Sequence, residues 1–482
     1  MLDPHASLPD PSDSARQKAC SLLTRRLGPS KVLIREEACE RYAADESEAE
    51  GRVPDAVVLA ETADDISVAL AVATEAGVPI TPRAGGTGRV GGAVPLAGGI
   101  VLSTLGMSSI KEIDRREGLA VVGPGVVLET LHFEVEREGL FYPPDPGSLA
   151  NCAIGGNVAA NAGGPRAFKY GVTRDYVLGL DVLLMDGRRL HFGRRTRKGV
   201  TGYDLTALMV GSEGTLGVFG DITLRLIPKP PSVMTLLALF ADVGQAARAV
   251  QEITGAGIIP RCMELLDAGT LQALRDAGNP VDRRAGALVL IEVDGDEASC
   301  EAQALRISDA CEAVKALDLL VAQDASQRDR LWSARREMSE AVRRLAKNKL
   351  SEDIVVPRQR IAELLDRVAV SSERLGVRTM AYGHAGDGNL HVNFLWDDER
   401  ERPAVDSAIE QLFRDTLELN GTLSGEHGIG VLKAPYLPLE QPPELIRLQQ
   451  DLKRLLDPAG LLNPGKIFPS GEHAFCTLET GP

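Results

Sequence analysis

The sequence predicts an α+β protein divided into two or three domains, and three observations carry that expectation. The chain has 482 residues, too many for a single core, and 44% hydrophobic content is ample for more than one. A strand, helix, strand unit opens its first half. A Lys229-Pro230-Pro231-Ser232 break then precedes strands and helices whose alternation suits an antiparallel sheet covered by helices.

Taken in order, residues 1–13 alternate Pro, Ser and Asp with little apolar content and read as a disordered tail, after which a helical pattern begins at Ser14. Ala56 to Ala60 reads as a buried strand, Ala63 to Gly77 as an amphipathic helix stopped by glycine, and Pro79 to Pro82 as the next strand. Ile100 to Leu105, Leu119 to Val122, Val177 to Met185 and Gly220 to Leu226 follow as strands separated by long Gly/Pro/Asn-rich loops. Beyond the break, Val233 to Phe240 and Leu288 to Val293 are strands, and Val243 to Gly255 and Glu297 to Ala313 are helices. Gln327 to Lys349 reads as one long Arg-rich helix, with further helices at Gln359 to Leu375, Val405 to Leu419 and Glu444 to Leu456. These divisions predict domains at 14–230, 231–438 and 439–482.

No apolar run approaches the roughly 20 residues that span a bilayer, and the N-terminus is polar and acidic, so neither a membrane segment nor an export signal is expected. A net charge of −15 disfavours nucleic acid as a partner. Seven scattered cysteines without a CxxC pair suit a reducing cytoplasm and supply no ligand set for an iron–sulfur cluster.

Three glycine-rich loops suggest a long ligand. Arg83 to Pro95 (RAGGTGRVGGAVP) contains Gly86-x-Gly88-x-x-Gly91, but Pro95 and Gly98-Gly99 forbid the helix that a dinucleotide fingerprint requires. What remains is a nest of backbone N–H groups able to cradle a pyrophosphate, with Arg83 beside it. Pro143 to Gly164 and Gly211 to Gly217 repeat that chemistry, and Asn157 and Asn161 add amides.

The segments Tyr382 to Asn393 (YGHAGDGNLHVN) and Ser424 to Gly430 (SGEHGIG) gather three of the seven histidines. A hairpin with a two-residue turn at Asp387-Gly388 would pair His384 with His391 and stand both imidazoles on one face, with Tyr382 and Asn393 next along it. With Glu426 they make a three-ligand set for Zn²⁺ or a similar divalent ion, leaving a position open for substrate.

Together, PRAGGTGRVGGAVP, DPGSLANCAIGGNVAANAGGPRAFKYGVT, LMVGSEGTLGVF, GHAGDGNLHVN, SGEHGIG and LLNPGKIF resemble, from about Val53 to Phe468, the ordered motifs of the FAD-linked 2-hydroxy-acid dehydrogenases of the vanillyl-alcohol oxidase superfamily. The resemblance implies an FAD domain of two α/β subdomains, a substrate cap on an antiparallel sheet, and a C-terminal segment that returns to the flavin. It places Pro82, Arg83, Ala84, Gly85, Gly86, Thr87, Gly88, Gly91 and Gly92 at the FAD pyrophosphate. Pro144, Asp145, Ser148, Gly155, Gly156, Asn157, Asn161, Gly163, Gly164, Gly214 and Asn463 would surround the flavin. His384, His391 and Glu426 fall on the family's metal ligands and His427 on its proposed base. Arg335, Ser339 and Asn393 fall on its substrate contacts. Cys152 lies near the flavin loop, but FAD is expected to be non-covalent.

By resemblance, then, the chain is expected to oxidise a D-2-hydroxy acid to the 2-oxo acid, using FAD and a divalent metal, zinc favoured with manganese or iron as alternatives. Electrons would pass to an external acceptor: a partner iron–sulfur subunit, electron-transfer flavoprotein, a cytochrome or a quinone. A homodimer and peripheral attachment to a membrane through partners are compatible with it. Relatives acting on 2-hydroxyglutarate carry a lysine six residues before a proline, where this chain has Ser351, so D-lactate or glycolate is expected over D-2-hydroxyglutarate. The competing readings are a D-2-hydroxyglutarate dehydrogenase, a non-catalytic FAD-binding subunit of a glycolate oxidase-like assembly, and a colourless metal-dependent hydrolase.

Overall fold

The computed structural model describes residues 8–468 as two compact units. The first comprises residues up to Ala162, Val172–Lys229 and the segment from Glu426 onward; the second comprises Gly163–Gly171 and Pro230–Gly425.

Two larger sheets build the first unit, beside a two-stranded pair of Leu140–Phe141 and Ile227–Pro228. In one, Ala56–Leu59, Ile100–Ser103 and Ile80–Arg83 run parallel, with Val32–Leu33 antiparallel at one edge. Its strands are short and apolar because helices Asp13–Leu27 and Ala63–Ala76 cover them; Leu23, Ile66, Leu70, Ile80 and Ile100 share one core. Thr62 and Asp65 cap the second helix reciprocally, and Gly77 ends it at φ 66°. The other sheet is antiparallel, in the order Ile110–Asp114, Leu119–Val122, Val218–Arg225, Val177–Leu183, Arg189–Gly193. Asp13 is the first residue of a helix rather than the last of a disordered tail. Ser12 caps that helix, and Arg16 bonds the Pro11 carbonyl and Asp10. Residues 1–7 lie outside the described residues.

The second unit is a seven-stranded antiparallel sheet, ordered Asp318–Val321, Ser232–Phe240, Ala287–Gly295, Cys262–Leu266, Arg378–His384, Asn389–Trp396, Asn348–Val355. Six helices of nine or more residues accompany these strands, and a core that includes Leu266, Leu271, Leu274, Leu288, Met338 and Val342 forms between sheet and helices. Two sequence expectations are corrected here. The Arg-rich helix spans Ala325–Arg343 and stops short of Lys349, which lies in an edge strand. The Asn348–Val355 segment extends because it pairs with Asn389–Trp396 along eight register positions. Cys262–Leu266, wholly buried at the centre of the sheet, was not anticipated as a strand.

Candidate functional site

In the first unit the glycine loops are held against one another by backbone contacts that leave no room for side chains. A Cβ on Gly85 would lie 2.6 Å from the Asn151 carbonyl, and one on Gly155 would lie 2.7 Å from Pro124 Cβ. By contrast, a Cβ on Gly88 would meet only Asp45 at 3.5 Å, and one on Gly92 only Glu213 at 4.0 Å. That bare backbone is the surface a pyrophosphate needs. Ser212 Oγ and Asn463 Oδ1 are buried beside these loops without a hydrogen-bond partner, as polar atoms awaiting a ligand would be. The residues therefore fit an extended phosphate-containing cofactor.

Pro82 and Arg83 end a parallel strand, and Ala84, Gly86, Thr87 and Gly91 continue the loop after it. The Arg83 guanidinium donates to the Ala44 carbonyl at 2.7 Å and packs over Tyr42, so it braces the loop. Pro144 accepts from His132 through its carbonyl; Asp145 and Ser148 follow in the turn that leads to Cys152. Gly156 and Asn157 lie in a short helix, Ile154–Ala160, capped by Asn161 at φ 53°. Burial pushes the Cys152 thiol up, which disfavours the thiolate a covalent bond would need. Gly163 and Gly164 belong to the second unit.

The segment from Glu426 onward joins the first unit through polar ties. Asn463 donates its backbone N–H to the Ile80 carbonyl and its amide to the Gly92 and Glu213 carbonyls at 3.0 and 2.8 Å, next to Gly214. Glu213, half-buried and at φ 51°, accepts from Ile429 and Gly430 N–H at 2.8 and 2.7 Å. It thereby fixes the far end of the loop that carries Glu426 and His427, whose Oε1 and Nε2 lie 4.0 Å apart. Lys466 Nζ donates to the Val94 carbonyl at 2.6 Å. Burial pulls that amine down to about 7 despite Asp45 and Glu213.

In the second unit His384 and His391 are 4% and 7% exposed, with ring centroids 5.4 Å apart and ring nitrogens within 4.8 Å. Their pairing differs from the expected hairpin. His384 pairs with Asn389 and His391 with Tyr382, so residues 385–388 form a wider turn. The Val356 N–H takes the Gly388 carbonyl, and both Asp387 and Gly388 N–H point to the His384 carbonyl, which displaces the narrow turn. The register moved by an even number of residues, so both imidazoles still share a face.

Buried charges surround this pair. Glu264, 0% exposed, accepts from His384 Nδ1 at 2.6 Å through one oxygen and from Arg335 Nε at 2.5 Å through the other. Burial would raise its carboxyl, but His384 and Arg335 outweigh that and hold it low. Asp353, opposite His391 in register, accepts from Asn389 Nδ2, Ser424 Oγ and Gly425 N–H, which ties the start of the SGEHGIG loop to the sheet. Glu426 follows Gly425 directly in the chain. Lys349 Nζ lies 3.3 Å from Ser339 Oγ and 3.4 Å from Tyr382 OH, and Tyr382 donates to Asn393 Oδ1 at 3.3 Å. Burial would raise that phenol, but Lys349, Ser339 and Arg335 together bring it below its ordinary value. Two imidazoles on one face, with Nδ1 of one held by a carboxylate, have the donor chemistry to hold a divalent metal. Glu264, Asp353 and Glu213 escaped the sequence reading, whereas Lys349 was legible as the lysine nearest Ser351; the available signal for Glu264 was a lone carboxylate inside the apolar run CMELL.

Profiles of two families match the chain: "FAD binding domain" over residues 54–193 and "FAD linked oxidases, C-terminal domain" over 229–467. Glycolate oxidase subunit GlcD of Bacillus subtilis is 42% identical over 86% of this chain and 89% of its own length. The chain belongs to the FAD-linked oxidases. A D-lactate dehydrogenase of Anaerostipes hadrus is 34% identical to this FAD-linked oxidase, over 92% of the chain and 96% of the relative. Among solved structures, 4-ethylphenol oxidase from Gulosibacter chungangensis superposes with a TM-score of 0.78 at 20% identity, covering 97% of this chain and all of its own. p-Cresol methylhydroxylase gives 0.78 at 15%, covering 95% and 97%. These share the vanillyl-alcohol oxidase type of fold, with an FAD-binding domain and an antiparallel-sheet cap. This FAD-linked oxidase is an oxidoreductase and a flavoprotein. Among the described residues no helix is long and apolar enough to cross a membrane.

Proposed function

We propose that the chain oxidises a D-2-hydroxy acid to the 2-oxo acid, with D-lactate or glycolate favoured. The observation that carries this reading is Arg335 joined through one buried carboxylate to the His384–His391 pair: an anion grip beside a metal-ligand pair in an FAD-linked oxidase. Names of relatives, glycolate oxidase subunit and D-lactate dehydrogenase, support the short substrates.

When bound, FAD supplies a hydride acceptor and a divalent ion, zinc before manganese or iron, supplies Lewis acidity. His384, His391 and Glu426 hold that ion. Arg335 grips the substrate carboxylate through parallel hydrogen bonds and so sets the face presented for oxidation, while Ser339 and Asn393 add polar contacts. His427 takes the hydroxyl proton. Ala84 to Gly92, Pro144 to Asn161 and Gly214, closed by Asn463, hold the cofactor non-covalently. Lacking a cysteine cluster, the chain passes electrons to an external acceptor; the designation of relatives as subunits supports a partner protein, in the cytoplasm or at a membrane through that partner.

Lys349 favours a second reading. It supplies the cation that Ser351 lacks, which would suit the distal carboxylate of D-2-hydroxyglutarate. Catalytic efficiencies for D- and L-lactate, glycolate and D-2-hydroxyglutarate, measured with one artificial electron acceptor, separate the readings. Turnover selective for D-lactate or glycolate is expected. Flavin left oxidised by every 2-hydroxy acid would end the proposal in favour of a non-catalytic subunit.

A further inference from the structure

Glu264 is a fully buried carboxylate at the centre of the sheet. It lies in the central strand Cys262–Leu266, between the long strand Ala287–Gly295 and the histidine hairpin, and is paired in register with both Leu290 and His384. Its neighbours Met263 and Leu265 are buried and apolar. A carboxylate in such a place is strongly destabilising unless every oxygen is matched. Here each oxygen has its own partner of different purpose: Oε1 meets His384 Nδ1, and Oε2 meets Arg335 Nε. An oxygen accepting at His384 Nδ1 requires the proton to sit on that nitrogen, which leaves Nε2 as the lone-pair donor. The same carboxylate stops the Arg335 side chain from swinging, and the guanidinium also lies 5.7 Å from the Tyr382 ring centroid.

We propose that Glu264 is a positioning residue shared by two functions: it orients His384 toward the metal and Arg335 toward the substrate carboxylate, so metal affinity and anion affinity depend on one side chain. This rests on the reading of His384 as a metal ligand and Arg335 as the anion grip, and it adds their coupling. Both bonds to the strand are side chain to side chain, so they contribute nothing to the sheet ladder itself.

The test uses the flavin-loaded protein and zinc itself. Zinc affinity is measured by competition with a chromophoric chelator, and KM and kcat for D-lactate are measured at saturating zinc, for wild type and Glu264→Ala. Flavin content and the unfolding midpoint verify the fold. Glu264→Ala should lose about 10- to 100-fold in zinc affinity and raise KM together with it. Glu264→Gln is more informative. Its amide can offer the oxygen to only one partner and must turn the nitrogen to the other, so it should spare one property and lose the other. If Glu264→Ala does not fold, Glu264→Gln carries the test alone. Zinc affinity and KM both within twofold of wild type, in whichever variant folds, overturn the proposal and leave the metal reading intact. A wild-type protein that takes up no zinc overturns both.

Discussion

On the second reading proposed above, Lys349 is the cation that would meet a distal substrate carboxylate. Its Nζ reaches Ser339 and Tyr382, and its ammonium lies 5.9 Å from the Tyr382 ring centroid. Lys349→Met should therefore raise KM for D-2-hydroxyglutarate roughly tenfold, about 1.4 kcal/mol, and leave D-lactate within twofold; equal changes for both acids would remove Lys349 from the distal end of the pocket. At the metal, His384→Ala should abolish turnover while the flavin absorption spectrum stays nearly unchanged, and a fully active metal-free preparation would refute the metal set. Lys466 gives a pH-dependent stability. Its folded amine titrates near 7 against an ordinary value of 10.5, so the unfolded chain binds more protons between those values. The burial penalty is thus fully present below pH 7 and is relieved as pH rises toward 10.5. Melting curves of Lys466→Met and wild type should differ most in favour of the variant at pH 6, draw together steadily above pH 7 and converge only near pH 10.5.

At the scale of elements, the hairpin Arg378–His384 and Asn389–Trp396 depends on its turn. Gly388 has φ 83°, and a Cβ there would lie 1.9 Å from the Val356 carbonyl, a contact no side chain can make. Gly388→Val should destabilise the second unit by at least about 2 kcal/mol, from left-handed strain and the displaced edge strand. Urea unfolding followed by the fluorescence of Trp332 and Trp396, both in this unit, measures it; an unchanged midpoint would mean that the turn tolerates a second conformation. The even shift of register in this hairpin explains why the face of the imidazoles was readable while their partners were not. Alternation along YGHAGDGNLHVN sets the face, but the turn length depends on Val356, thirty residues upstream, capturing Gly388. The segment Gly163–Gly171 was unreadable for a similar reason. It continues a glycine motif of the first unit, yet Lys169 and Tyr170 bond Asp294, and a Cβ on Gly386 would strike Phe168.

For the whole molecule, the two units have separate cores, so the glycine cradle can be perturbed without touching the strands that carry the two imidazoles. The bare backbone at Gly88 is in the first unit and both imidazoles are in the second. Gly88→Trp should yield a colourless protein that still takes up zinc. FAD at 100 times its dissociation constant should stabilise wild type by about 2.7 kcal/mol and the variant not at all, read as the shift in unfolding midpoint. Full flavin occupancy in the variant would remove Gly88 from the cradle.

The sequence by itself determined what local chemistry can dictate. Pro95 and Gly98-Gly99 forbade a helix after the first glycine loop, Gly77 ended the helix Ala63–Ala76, and the order of motifs identified an FAD-linked oxidase before any coordinates. Composition and spacing also marked His384 and His391 as a pair. Only the tertiary structure decided which charges are buried together. Glu264, Arg335 and His384 are 71 and 120 positions apart along the chain from Glu264, and Glu213 meets Gly430 across 217. Such partners are chosen by sheet order, with Cys262–Leu266 laid beside Arg378–His384, and no periodicity within either strand encodes which other strand will be its neighbour.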